Sequence, residues 1–81
     1  MPSSGTVTLK EMEEMLDACA PGTRIEAKTH HNWVYWKDFA PYRLPRGKHG
    51  RRDNPEIEAG HVKRMARYFD ILDCAQKHLQ L

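Results

Sequence analysis

The chain has 81 residues and a mass of 9.5 kDa, enough for one domain. Its longest unbroken apolar run, Trp33 to Trp36, is four residues. A transmembrane helix needs about 20 and a signal peptide about 7–15, so no membrane association is expected and the cytoplasm is the expected compartment. Thirteen Lys and Arg against eleven Asp and Glu leave a net charge of +2, which alone selects no partner.

Residues Met1 to Val7 are small and polar and read as a disordered lead to a single domain spanning 8–81. Thr8-Leu9-Lys10-Glu11 has the form of a capping box. Leu9, Met12, Met15, Leu16 and Cys19 follow at helical spacing, which predicts a helix over Leu9–Cys19. Ala20-Pro21-Gly22 stops it. Thr23 to Lys28 alternates, with Ile25 and Ala27 on one face and Arg24, Glu26 and Lys28 on the other. His30 to Trp36 is rich in aromatic and β-branched residues and reads as a second strand, with Lys28-Thr29 as the turn between. If His31, Trp33 and Tyr35 share one face of it, then His30, Asn32, Val34 and Trp36 share the other. Residues 37–41 read as a turn and Tyr42-Arg43-Leu44-Pro45 as a short third strand, which Pro45 ends or places on an edge. Arg46 to Pro55 reads as a loop. Val62, Met65, Ala66 and Phe69 mark the apolar stripe of a last helix. A break near Asp70 followed by a short helix ending near His78, and a single bent helix, both suit the remainder. The expected fold is α+β, in the order α-β-β-β-α, with a three-stranded antiparallel sheet and two helices packed on one face.

Cys19 and Cys74 lack a C-x-x-C spacing and are expected as reduced core thiols. Cys19, His30 or His31, His49 and Cys74 are scattered without a recurring short ligand spacing, so no metal site is assigned and metal binding stands only as a third reading. No phosphate-binding loop, nucleophile elbow or H-E-x-x-H motif is present in the sequence.

The charge is segregated. Lys10 to Asp17 holds four acids and one base, whereas Arg24 to Arg52 holds eight bases and two acids, together with five of the seven aromatic residues. Cations for phosphates interleaved with flat rings for bases are what a nucleic-acid surface needs. Lys28, Arg43, Arg46, Lys48, His49, Arg51 and Arg52 are the candidate RNA-binding residues. A solvated loop beside an aromatic core strand accounts for the same composition equally well. His61 reads as a surface residue in the first turn of the last helix, and His78 lies where a helix dipole favours a cation.

Several of these features resemble the HicA family of small bacterial toxins. Thr29-His30-His31-Asn32-Trp33 is similar to the family's Gly-Ser-His-x-x-aromatic strand start, with Lys28-Thr29 where the family has Gly-Ser. Arg43-Leu44-Pro45 with Lys48-His49-Gly50 resembles its third strand and basic loop, and Glu56 to Met65 its pre-helix segment and second helix. The resemblance runs from about Leu9 to Ile71. It implies a double-stranded-RNA-binding-domain-like fold and a metal-independent endoribonuclease, a hydrolase of the mRNA-interferase type, with His30 as its catalytic residue. It also implies a HicB-like antitoxin as protein partner and no cofactor. The alternatives are a non-catalytic nucleic-acid-binding module and a protein-interaction domain.

Overall fold

In the computed structural model of the chain, which describes residues 5–45 and 55–81, the segment before the first helix is already structured. Strand β1 (Thr6–Thr8) pairs antiparallel with β5 (Glu56–Glu58), so the expected disordered lead does not extend to Val7. Val7 and Ile57 face each other in this ladder and are both buried. That burial holds a strand three residues long, too short for its alternation to stand out in the sequence. The N–H of Leu9 donates to the Pro55 carbonyl, and that of Ala59 to Gly5, continuing the pairing at either end.

Helix α1 (Leu9–Cys19) has the predicted bounds and the predicted cap. The Glu11 N–H donates to Thr8 Oγ1 at 3.1 Å, and the Thr8 N–H to Glu11 Oε1 at 2.9 Å. Met12, Met15 and Leu16 form its buried face. The chain reverses through Gly22, whose φ of 95° suits a residue without Cβ.

Strands β2 (Arg24–Ala27), β3 (His31–Tyr35) and β4 (Tyr42–Pro45) form an antiparallel meander in that order. The expected α+β architecture is thus present, with β1 and β5 added as a separate two-stranded sheet. Ile25, Val34 and Tyr42 lie in one cross-strand row, and Ala27, Asn32 and Leu44 in the next. Val34 and Leu44 are fully buried in one core with the apolar faces of α1 and of helix α2 (Ala59–Tyr68). Asn32 is the buried polar residue of this face, and no buried side-chain polar atom among the described residues lacks a hydrogen bond.

The end of α2 resolves the choice between a bent helix and a break. Asp70 adopts a φ of 60°, its N–H donates to the Arg67 carbonyl, and the Ile71 N–H reaches back to Ala66. This is a Schellman ending with aspartate at the position glycine usually takes. Helix α3 (Leu72–His78) follows, with Ala75 buried.

Cys19, at the end of α1, and Cys74, on α3, form a disulfide, in place of the two reduced thiols expected. The two helices pack against each other and bring the Cα atoms to 5.8 Å, within disulfide reach. With the cysteines 55 positions apart in sequence, that meeting depends on the helix packing and leaves no trace in sequence spacing. Among the described residues no helix is long and apolar enough to cross a membrane.

Candidate nucleic-acid interface

The register of the meander sorts its residues cleanly. Opposite the core face lie three rows: Arg24 with Tyr35; Glu26, Trp33 and Arg43; and His31 with Pro45. All are exposed or half-buried, so this face of the sheet is not covered by described residues. Strand alternation does the sorting: the side chains that would be costly to bury are those the pleat turns outward.

Trp33 occupies the middle of this face. Lys28 Nζ lies 5.8 Å and Arg43 Cζ 5.9 Å from its ring centre, so two cations flank one indole. Arg24 Cζ lies 4.7 Å from the Tyr35 ring centre. Glu26 is the one acid among the residues of these rows. Its Oε1 takes the Lys28 ammonium at 2.9 Å and the Tyr35 hydroxyl at 3.1 Å. The hydrogen bond from Lys28, then that from Tyr35, hold the Glu26 carboxyl below the ordinary carboxylate range, and the hydrogen bond to Glu26 raises the Lys28 ammonium above its own. The result is a shallow surface with Arg24, Lys28 and Arg43 against one carboxylate, and two rings each attended by a cation. Such a surface can stack a base and hold the phosphates on either side of it.

The Lys28 N–H donates to the His31 carbonyl, which leaves Thr29 and His30 as a two-residue connection between β2 and β3. His30 is therefore exposed at a hairpin tip and does not begin the strand; β3 starts at His31, on the open face. His30 thus falls in the turn, outside the strand in which alternation placed it on one face with Asn32 and Val34. The covered face, which alternation alone left open, is the one that carries Asn32 and Val34, while Trp36 falls beyond the strand and donates its indole N–H to the Pro21 carbonyl at 3.0 Å. Positive φ among the described residues occurs only at Gly22, Lys37 and Asp70, so a side chain at position 28 meets no backbone strain.

Of the candidate RNA-binding residues, Lys28 and Arg43 meet around Trp33, and His30 lies at the adjoining turn. Arg46, Lys48, His49, Arg51 and Arg52 lie outside the described residues. Arg24, Trp33 and Tyr35 belong to the face although charge counting did not select them. The alternation of Arg24-Ile25-Glu26-Ala27-Lys28 and His31-Asn32-Trp33-Val34-Tyr35 is the signal that finds them. Among the described residues the grouping able to hold a metal ion is elsewhere: Cys19, Cys74 and His78, on α1 and α3. Comparisons with protein-family models, curated proteins and solved structures find no match to this chain.

Proposed function

We propose that the domain binds single-stranded RNA across the open face of β2-β3-β4 and cleaves it with His30, as an endoribonuclease of the kind the HicA-like features imply. The observation that carries this reading is Trp33 flanked by Lys28 and Arg43, one hairpin turn from a solvent-exposed imidazole. A base stacked on Trp33 would contribute about 1–3 kcal/mol. Lys28 and Arg43 would hold the backbone on either side of that base, which brings a phosphodiester toward the turn, and the cations of Arg46 to Arg52 would add to the attraction for phosphate. His30 would take the proton of a 2′-hydroxyl as that oxygen attacks the adjacent phosphorus. The bond from phosphorus to the 5′ oxygen breaks, the leaving oxygen takes a proton, and a cyclic phosphate remains. General acid–base catalysis of this type supplies about 10²–10⁴-fold. A HicB-like antitoxin in the cytoplasm would act by covering the same face.

One observation favours a non-catalytic RNA-binding module on the same face. Among the described residues none holds the His30 imidazole by a hydrogen bond or ion pair, whereas a proton-transfer group is ordinarily oriented by a second residue. The two readings separate with labelled single-stranded RNA, anisotropy for binding and gel analysis for cleavage. The enzyme reading requires that wild type cleave in the presence of EDTA, and that His30→Ala bind with unchanged affinity while losing cleavage. Binding without cleavage by wild type leaves the module; a log–log salt slope near zero removes both.

A further inference from the structure

Away from the sheet, three side chains from two helices converge. Cys19 is the last residue of α1; Cys74 and His78 are four apart on α3 and therefore project from the same side of that helix. The two sulfurs and a ring nitrogen of His78 all lie within 4.8 Å of one another. In a tetrahedral zinc site, sulfur–zinc bonds of about 2.3 Å and nitrogen–zinc bonds of about 2.0–2.1 Å place neighbouring donors roughly 3.6–3.8 Å apart. The three atoms thus stand near the corners of such a site once the disulfide is opened.

We propose that the reduced chain binds one divalent zinc-class ion through Cys19 Sγ, Cys74 Sγ and a ring nitrogen of His78, with water in the fourth position. The disulfide and the metal site are alternative states of the same two sulfurs. A dithiol of the thioredoxin class reduces the bond: two electrons and two protons convert the disulfide to two thiols, and the dithiol becomes a disulfide. The ion then displaces both thiol protons, and two thiolates neutralise its charge. A neutral assembly suits two half-buried cysteines, and the exposed imidazole leaves the fourth position open to water. Two thiolates and an imidazole select zinc over magnesium or calcium, which take oxygen ligands. Cys19 and His78 are each the last residue of a helix, where the carbonyl ends favour a cation. In a reducing compartment, where disulfides do not persist, the ion takes over the clamp between α1 and α3. This inference does not depend on RNA binding.

The test is cobalt(II) titration of the full chain, reduced and kept free of oxygen, followed by zinc. The expected result is a thiolate-to-cobalt charge-transfer band with visible bands of tetrahedral intensity, saturating at one equivalent and bleached by zinc. Cys74→Ala and Cys19→Ala lose the charge-transfer intensity. His78→Ala weakens binding by at least ~10-fold, since even partners outside the ligand set are worth that much. Oxidised wild type gives no bands. Circular dichroism decides the case in which reduction unfolds the chain: one equivalent of zinc then restores the helical signal. A reduced chain that shows no bands and no metal-dependent refolding overturns the proposal, as does binding that is the same in Cys74→Ala or His78→Ala.

Discussion

Replacing Cys19 and Cys74 together by alanine removes the covalent tie between the ends of α1 and α3 but leaves their apolar contacts in place. Ala75 is fully buried and Ile71 nearly so, and Leu16 lies one turn before Cys19 in the same core. The loss therefore falls on the unfolded chain, which regains the freedom that a 55-residue closure denied it. The loop-entropy relation gives about 14 cal/mol/K for a closure of that length, or about 4 kcal/mol at 25 °C. A chain of this size has on the order of 4–12 kcal/mol of stability in all, so the change removes a large share of it. At roughly 4–8 °C per kcal/mol, the melting temperature should fall by on the order of 15–30 °C. Thermal and urea unfolding of oxidised wild type and of the double variant, both with chelator present, read this directly. The native far-ultraviolet spectrum should be unchanged, and the urea m-value should rise because the unfolded variant exposes more surface. A double variant that melts within about 3 °C of oxidised wild type would refute the reasoning, and would mean that α3 holds α1 by packing alone.

Trp33→Ala should weaken single-stranded RNA binding by about 1–3 kcal/mol, roughly 5–150-fold, with little change in melting temperature because the ring packs on the open face and not in the core; anisotropy and calorimetry on the same preparation check both. Glu26→Gln removes the acid that engages Lys28, so affinity should rise and the log–log salt slope should steepen by about 0.7 on single strands. The sign for pH is the same: the Glu26 carboxyl is held low, so it keeps its charge down to acid pH, and only as pH falls through that lowered range does the carboxylate neutralise and the face gain net positive charge. Asp70→Gly should stabilise the fold by about 1 kcal/mol, since the left-handed conformation at φ 60° costs a residue with Cβ what it does not cost glycine; denaturant midpoints measure it, and a loss of stability would mean that the Asp70 side chain contributes to the helix end.

Helix α1 was legible from residues 8–19 alone, because a capping box and an apolar stripe are both local and the same Thr8–Glu11 contacts close in the structure. The three-strand meander and the apolar stripe of α2 were legible for the same reason: alternation and helical spacing record which side of each element faces the core. So was the interleaving of cations with aromatic residues along Arg24 to Arg43, though not which cation meets which ring. Tertiary structure decided the rest. Residues 6–8 and 56–58 are each too short to read as strands, and they pair only because the fold brings Val7 and Ile57 to one buried patch. Which face of β3 is covered follows from where the helices lie, and that choice sets Trp33 between Lys28 and Arg43 and leaves Asn32 inside. The turn that carries His30 outside the strand depends on the pairing of Lys28 with His31. The meeting of Cys19, Cys74 and His78 is the furthest from the sequence pattern. Proximity across 55 residues is a property of how α1 packs on α3, and no spacing rule along the chain encodes it.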